Sequence, residues 1–279
     1  MSIRHNKQTS HKNNVFDKVL KLLAQVNRRV DLTHELQTEI DPNVFFRRNS
    51  VNLLIGKKGS GKTYNVFREC LKLRFIKDHR YTKMLYITNK PDDPTYTRIA
   101  ALMPFPVEIV PYSNAVEAIS QLSQAKAAMR EINDRHIRTS DLEDEAKAEL
   151  EVILGESITQ PHEVYHSIVL LDDCQALFDH RTAANKDLWK LLFENRQPKI
   201  TYFLTMQDPK GMDTSIKEAV DAVWMFGKYS RYKFGYMLRY IPHEESPEKL
   251  WRIYKDLSKN DAILIMNNDE GERVIVINQ

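Results

Sequence analysis

The chain has 279 residues, of which 42% are apolar and 28% are charged. This balance is ordinary for a globular protein and allows one large domain or two modest ones. A membrane span needs roughly 20 consecutive apolar residues, and no run here approaches that length. The N-terminus lacks the apolar region of a signal peptide, so we do not expect secretion. Cys70 and Cys174 are too few for a disulfide framework.

The net charge of +3 conceals a strong segregation along the chain. Residues 1–30 carry seven basic side chains against one acid, and residues 141–156 carry seven acids against one lysine. Residues 228–240 hold four basic side chains and no acid. Such blocks create local electric fields that the average charge does not reveal. We favour the interpretation of the acidic stretch as a solvated helical face. The alternative hypothesis is that it forms ion pairs with the basic N-terminal stretch of the same or a neighbouring subunit.

Four segments are predicted from the N-terminus onward. Residues 1–14 are polar and basic and are expected to form a disordered tail. Residues 15–49 are expected to form an N-terminal helical segment, because apolar side chains recur at helical spacing from Val15 to Val26; Asp41-Pro42 then breaks the pattern. Residues 50–240 form the predicted core, and residues 241–279 a C-terminal extension made of a helix and a β-hairpin.

Strand and helix patterns alternate within the core, which predicts an α/β fold with a mostly parallel central sheet flanked by helices. The C-terminal extension breaks this alternation, with a helix near 246–258 followed by two short strands joined near Gly271. The predicted strands are Val51–Ile55, Met84–Thr88, Val107–Val110, Ser167–Leu171, Ile200–Met206, Ala222–Phe226, Ala262–Met266 and Arg273–Ile277, and the predicted core helices are 62–78, 114–155 and 185–195.

A phosphate-binding loop follows the first predicted strand. The sequence Gly-Lys-Lys-Gly-Ser-Gly-Lys-Thr fits the pattern G-x-x-x-x-G-K-[ST] and opens a helical stretch, as the motif requires. Backbone N–H groups of such a loop bind phosphate oxygens, the lysine reaches the β- and γ-phosphates, and the threonine hydroxyl binds Mg²⁺. The predicted ligands are therefore ATP and Mg²⁺, and the candidate nucleotide-binding residues are Gly56, Gly59, Ser60, Gly61, Lys62, Thr63 and Tyr64.

A second acidic motif is expected to complete the metal site. The apolar run 168–171 ends in Asp172 and Asp173. Asp172 would bind Mg²⁺ together with Thr63, directly or through water. Asp173 stands where related enzymes carry the acid that polarises the attacking water. The alternative interpretation is an exposed acidic turn after a core strand.

Two further polar residues are candidates for catalysis. Gln207 ends the strand that follows the metal-binding strand and would contact the γ-phosphate or position water, with an ordinary polar strand end as the alternative. Arg196 follows a predicted helix and would stabilise transition-state charge in a neighbouring subunit. Surface solvation or a structural ion pair fits Arg196 about equally well, and Arg181 and Arg231 are rivals for its role.

The stretch 89–92, Asn-Lys-Pro-Asp, matches the N-K-x-D signature with which GTPases recognise guanine. In GTPases this motif follows the metal-binding strand, whereas here it precedes Asp172. We therefore predict a strand end followed by a proline turn.

The loop, the Leu-Leu-Asp-Asp strand end, the helix ending in Phe-Glu-Asn-Arg and the strand ending in Gln-Asp-Pro together resemble the FtsK–HerA superfamily. The resemblance covers about residues 50–227 and is nearest to the genome-packaging ATPases of poxviruses, other large DNA viruses and virophages. It implies a RecA-like P-loop core in a homo-oligomeric ring of roughly five or six subunits. It also implies ATP-driven movement of double-stranded DNA into a preformed viral capsid, and a location in the virion or the infected-cell cytoplasm.

The family's functional residues carry over to Lys62, Thr63, Asp172, Asp173 and Gln207. Arg196 corresponds to an arginine in an Asn-Gly-Arg-His-like stretch, here without the glycine and with Gln197 for the histidine. Lys217 stands where relatives often have a second arginine. These two departures weaken the assignment of a trans-acting arginine.

The DNA-contacting surface is left open between two basic regions. Residues 228–236 interleave bases with aromatics and form either a DNA-facing loop or, as we favour, an edge strand with inward aromatics. Residues 1–30 would bind DNA, a capsid protein or a neighbouring subunit, or remain a solvated tail. The competing functions are another P-loop ATPase such as a helicase or AAA+ remodeller, a non-catalytic nucleotide-binding scaffold in capsid assembly, and a small-molecule kinase.

Overall fold

The computed structural model describes residues 45–76, 79–136, 139–158, 165–178, 183–194, 197–209, 216–268 and 271–278. The chain divides into two compact units, Met1–Asn43 and Val44–Gln279. The predicted tail 1–14 and most of the predicted helical segment 15–49 lie outside the described residues. All the described residues belong to the second unit.

An eight-stranded sheet forms the centre of this unit, in the order β3-β2-β4-β5-β1-β6-β7-β8. The first six strands in this order, β3 through β6, are mutually parallel. Strand β7 is antiparallel to β6, and β8 is antiparallel to β7. The prediction of a mostly parallel sheet is therefore confirmed. The strands are β1 Val51–Ile55, β2 Tyr81–Thr88, β3 Val107–Pro111, β4 His166–Leu171, β5 Ile200–Met206, β6 Ala222–Phe226, β7 Ala262–Asn268 and β8 Gly271–Ile277.

Helices cover both faces of the sheet. The helices are α1 Lys62–Lys72, α2 Pro94–Ala100, α3 Ala115–Asp134, α4 Asp144–Leu154, α5 Ala183–Phe193, α6 Ile216–Ala219, α7 Arg231–Met237 and α8 Pro247–Tyr254. Side chains of α3, α5, α7 and α8 pack with Leu53 and Leu204 on one face. On the other face Phe67 of α1 meets Tyr86 of β2, with ring centroids 5.4 Å apart. Every residue of β1, β4, β5 and β6 is buried, which explains why these strands are mostly apolar on both faces.

The single helix predicted over 114–155 is wrong, because two helices occupy this stretch. Helix α3 ends at Asp134, and His136 has a left-handed backbone conformation with φ of 53°. Helix α4 then begins with Asp144 and Glu145 in its first turn. Acidic side chains are favourable at a helix N-terminus, because they meet its partial positive charge. The acidic block therefore starts a new helix here.

Residues 89–93 form the strand end and turn that the sequence predicts. Strand β2 ends at Thr88, and helix α2, which the sequence analysis missed, begins at Pro94. The Asp93 side chain caps α2 by accepting a hydrogen bond from the backbone N–H of Thr95 at 2.9 Å.

The edge strand favoured for residues 228–236 is wrong. Residues 228–230 are irregular, and helix α7 then begins at Arg231 and is followed by a 3₁₀ turn over Leu238–Tyr240. Contact of this region with DNA stays a prediction. The Ser230 hydroxyl caps α7 by accepting from the backbone N–H of Lys233 at 3.3 Å. Phe234, Met237 and Leu238 are buried, and their i, i+3, i+4 spacing is that of a helix packed on a core.

The C-terminal helix and hairpin are confirmed as α8 and the antiparallel pair β7–β8. Strand β7 pairs with β6 along its length, from Ala222 with Met266 to Phe226 with Ala262. The sheet therefore continues across the boundary predicted at residue 240. Cys70 and Cys174 are both buried free thiols. In the part of the chain that the structure describes, no helix combines the length and apolar character that crossing a membrane requires.

Candidate nucleotide-binding site

The phosphate loop connects β1 to α1 at the carboxyl edge of the sheet. Gly59 and Gly61 have φ values of 71° and 85°, a left-handed conformation that glycine adopts without steric cost. The backbone N–H of Gly56 donates to the carbonyl oxygen of Met206 at 3.1 Å. A Cβ atom at Gly56 would lie 2.8 Å from Cβ of Phe226 and would overlap the buried Ser60 hydroxyl. Three of the loop's glycines are thus required by its shape.

Lys62 is the first residue of α1 and is 8% exposed. Its ammonium group donates to the carbonyl oxygens of Gly56 at 2.8 Å and Lys57 at 3.3 Å. Burial lowers the pKa of Lys62, while the negative charges of Asp173 and Asp172 oppose this effect. The loop therefore holds a lysine ammonium inside its own curve, close to the two carboxylates.

The two predicted metal ligands meet in the structure. The Thr63 hydroxyl donates to Oδ1 of Asp172 at 2.5 Å. The same carboxylate accepts from the Thr205 hydroxyl at 2.8 Å and, through Oδ2, from the Tyr86 hydroxyl at 2.9 Å. Asp172 follows β4 and is only 8% exposed. Its orientation is thus fixed by three hydroxyl groups from three different elements.

These donors fit a magnesium ion. Thr63 and Asp172 offer a hydroxyl and a carboxylate oxygen side by side, which are hard oxygen ligands. Within the described ranges no group of three or more His, Cys, Asp or Glu residues is arranged to hold a metal. Magnesium in phosphate sites is usually held by one or two protein oxygens, with substrate phosphates and water completing the shell. The sparse donor set is therefore the kind that Mg²⁺ takes together with a nucleotide.

Asp173 and Gln207 also lie together. The Gln207 side-chain amide donates to both carboxylate oxygens of Asp173, at 3.2 and 3.1 Å. Asp173 has a left-handed backbone with φ of 53°, and its N–H donates to the Thr205 hydroxyl at 2.8 Å. This sharp turn directs consecutive carboxylates to different partners: Asp172 faces Thr63, and Asp173 faces Gln207.

The remaining predicted site residues divide into two groups. Tyr64 follows the loop and is 42% exposed, so its ring is accessible at the start of α1. Arg196 and its rival Arg181 lie outside the described residues. Arg231, the other rival, is exposed on α7.

Several residues that support the site were missed by sequence reasoning. Thr205 and Tyr86 lie inside apolar strands, where a hydroxyl-bearing side chain looks like ordinary core. The parallel register that pairs Leu171 with Leu204 places Thr205 beside Asp172. Tyr112 donates its hydroxyl to the backbone carbonyl of Asp172. Tyr229 donates to the carbonyl of Gln207 at 2.7 Å. Strand register would have been needed to find the first two.

Comparison with known proteins rests on structure, since no family model matches the chain and no curated protein matches it. EssC (ATPases 2 and 3) from Geobacillus thermodenitrificans aligns with a TM-score of 0.53 at 10% identity, covering 82% of this chain and 39% of that one. The genome-packaging NTPase B204 from Sulfolobus turreted icosahedral virus 2, in complex with AMPPCP, aligns with a TM-score of 0.50 at 13% identity, covering 82% and 97%.

The chain has the P-loop ATPase fold. A viral genome-packaging NTPase is among the solved structures that share this fold, in agreement with the resemblance drawn from the sequence. At identities of 10% and 13% the likeness establishes the fold alone.

Proposed function

We propose that this protein is a Mg²⁺-dependent ATPase that moves double-stranded DNA into a preformed viral capsid. The observation that carries the ATPase assignment is the meeting of the phosphate loop with the acids after β4: Thr63 contacts Asp172 at 2.5 Å. Lys62 and the Asp173–Gln207 pair complete the arrangement at the same edge of the sheet. These are the parts that phosphoryl transfer to water requires.

In the proposed reaction the oxygen of a water molecule bonds to the γ-phosphorus while the bond from that phosphorus to the β–γ bridging oxygen breaks. The electron pair of the broken bond leaves on ADP, and the proton of the water passes to a general base or to the released phosphate. The Asp173 carboxylate orients this water and accepts its proton, and Gln207 holds the carboxylate in place. Lys62 binds the β- and γ-phosphates.

Thr63 and Asp172 would hold the magnesium ion. When bound, that ion supplies positive charge next to the phosphate oxygens, where negative charge accumulates. Thr205 and Tyr86 keep the Asp172 carboxylate in position. Asp172 therefore needs no side-chain rearrangement to face the oxygen of Thr63.

The DNA-packaging assignment is supported by the order of motifs and by the fold shared with a protein described as a genome-packaging NTPase. Under this proposal the partners are double-stranded DNA, a viral capsid protein and copies of the same chain in a ring of roughly five or six subunits. The protein would act in the virion or the infected-cell cytoplasm. Arg196 remains our candidate for an arginine that acts on the neighbouring subunit's nucleotide.

The decisive experiment measures ATP hydrolysis with and without duplex DNA, together with the native mass of the protein. We expect slow Mg²⁺-dependent turnover that rises with duplex DNA, in an oligomer. Lys62→Ala is expected to lose nucleotide binding or turnover, whereas Lys186→Ala, an exposed lysine on α5, serves as the matched control. Hydrolysis at a rate that duplex DNA does not change would favour a remodeller. Stimulation by single-stranded DNA alone would favour a helicase, and ATP binding without turnover would favour a non-catalytic scaffold.

The trans role of Arg196 is tested by mixing subunits. Arg196→Ala and Asp173→Asn subunits are each expected to be inactive alone. In a mixed ring, an Arg196→Ala subunit keeps its own Asp173 and can receive Arg196 from an adjacent Asp173→Asn subunit. Activity therefore returns if Arg196 acts in trans. Mixed rings that stay inactive would contradict the trans role.

A further inference from the structure

The C-terminal part of the chain reaches the phosphate loop because β7 runs against its neighbours. The parallel strands β1 and β6 end at the carboxyl edge of the sheet, where the phosphate loop begins. Strand β7 is antiparallel to β6, with Ala262 opposite Phe226, so β7 starts at that same edge. The turn that connects α8 to β7 therefore lies beside the loop.

This connecting turn is fixed to the end of β6. The backbone N–H of Gly227 donates to the carbonyl of Asp261 at 2.9 Å, and the Asp261 side chain accepts from the N–H of Ser258 at 2.9 Å. A Cβ atom at Gly227 would overlap the carbonyl oxygen of Ser258. Leu257 is buried in the core. The turn is thus held by its backbone, by the short Asp261 side chain and by the buried Leu257.

Lys259 projects from this turn onto the phosphate loop. Its Nζ lies 3.2 Å from the place that a Cβ atom on Gly59 would occupy. The side chain is exposed, and among the described residues Lys259 has no hydrogen-bond acceptor or acidic partner. Gly59 has no side chain, so the ammonium group can approach the backbone of the loop directly.

The charge around this ammonium indicates an anionic ligand. Lys57, Lys58 and Lys62 already belong to the loop, and Lys57 lies over the ring of Tyr229 at 5.5 Å from its centroid. Asp173 and Asp172 offset the charge of Lys62, but in the part of the chain that the structure describes no acid forms an ion pair with Lys259. Its ammonium group therefore adds repulsion at the loop unless an anion lies between the positive groups. The backbone of a phosphate loop and its lysine together bind oxygens of the β- and γ-phosphates, so phosphate is the anion that this place receives.

We infer that Lys259 binds the β- and γ-phosphates of the nucleotide in its own subunit, as a second cation beside Lys62. This inference rests on the proposed ATPase function and adds a residue from outside the sequence motifs. As the bond between the γ-phosphorus and the bridging oxygen breaks, negative charge grows on the ADP side. A lysine ammonium at Gly59 stabilises this charge without help from a neighbouring subunit.

The test compares Lys259→Ala with Lys255→Ala, an exposed lysine four positions earlier whose replacement changes the net charge equally. We expect Lys259→Ala to lower kcat about 100-fold, the lower end of what loss of one charge-stabilising group costs. It should weaken binding of AMPPCP more than binding of ADP, since only AMPPCP carries the γ-phosphate. Lys259→Arg should recover part of the turnover. Melting temperatures on the same preparations identify any loss of folding.

Two results would overturn the inference while the ATPase proposal stands. One is wild-type turnover and unchanged AMPPCP affinity in Lys259→Ala. The other is recovery of activity when Lys259→Ala and Lys62→Ala subunits are mixed. Recovery would mean that Lys259 of one subunit acts on the nucleotide bound by its neighbour. A wild-type protein that neither binds AMPPCP nor hydrolyses ATP would instead overturn the proposed function, and the inference would fall with it.

Discussion

The side-chain amide of Gln207 donates hydrogen bonds to both oxygens of the Asp173 carboxylate, at 3.2 and 3.1 Å. Gln207 follows β5 and Asp173 follows β4, and these two strands are parallel neighbours in the sheet. Gln207 itself is held through its backbone, because its N–H donates to the Gln175 side chain at 3.0 Å and its carbonyl accepts from Tyr229. Under the proposed function, Gln207 positions the general base.

Asp173→Asn is expected to bind ATP and to lose hydrolysis. The amide keeps the size of the carboxylate but cannot accept a proton from water, and general-base catalysis contributes roughly 10²–10⁴-fold to a rate. We therefore expect kcat to fall at least about 100-fold, with little change in the affinity for AMPPCP. Asp187→Asn, an exposed aspartate on α5, is the matched control. Full turnover in Asp173→Asn would show that the base lies elsewhere.

Gln207→Glu places a second carboxylate about 3 Å from Asp173. Two carboxylates at this distance cannot both ionise easily, so one of the pair should hold its proton to higher pH. We expect turnover at pH 7 to fall and the rising limb of the pH–rate profile to move to higher pH. The profile is measured by steady-state hydrolysis, with Gln121→Glu, exposed on α3, as control. An unchanged pH–rate profile would show that Gln207 does not influence the general base.

Thr205→Val is expected to reduce both stability and Mg²⁺-dependent turnover. The change removes a donor to Asp172 and leaves the N–H of Asp173 without its acceptor, at a cost of about 1–3 kcal/mol in the free energy of unfolding. Thr201→Val is the matched control, because Thr201 is also buried on β5 and accepts from the N–H of Asn49 at 3.0 Å. Denaturant unfolding should show similar losses for both variants. Turnover measured over a Mg²⁺ titration should change for Thr205→Val alone.

His166 is expected to make folding stability depend on pH between about 6.5 and 4. Burial lowers its pKa to about 4, with further lowering by the positive charges of Arg48 and Lys199. The folded state therefore keeps His166 neutral while the unfolded state takes up a proton. The contribution is present above the unfolded pKa of 6.5 and is lost as the pH falls through about 4.

At 1.4 kcal/mol per pKa unit the full contribution of His166 is about 3 kcal/mol. In His166→Asn the loss of unfolding free energy between pH 7 and 4 should be smaller than in the wild type by an amount of this order. Denaturant unfolding at both pH values measures this difference. His136→Asn, at an exposed histidine, should retain the wild-type pH dependence; an equal dependence in His166→Asn would refute the assignment.

Local sequence signals predicted the parts of the site that depend on a few consecutive residues. The phosphate loop is recognised by its glycines and its lysine, and Asp172 and Asp173 by the apolar strand before them. Gln207 could be found because carboxyl ends of parallel strands meet at one edge of a sheet. These signals also sufficed for the parallel sheet and for the C-terminal hairpin.

Other features depend on relations that a single sequence does not contain. Tyr86 and Thr205 reach Asp172 only through the register of three strands. Residues 228–240 mix aromatics at both two- and four-residue spacings, and the cap at Ser230 together with burial of Phe234 selects the helix. Lys259 gives no local signal, because its position depends on the direction of β7.

The pairing of β7 with β6 has a consequence for any attempt to isolate the ATPase region. A fragment ending at residue 240 would retain every motif residue and yet expose the full hydrogen-bonding edge of β6, beside Trp224 and Phe226. Bare apolar strand edges recruit other strands and promote aggregation. Strand β7 therefore prevents the edge of β6 from pairing with strands of other molecules. Insolubility of the shorter fragment would result from exposure of this edge.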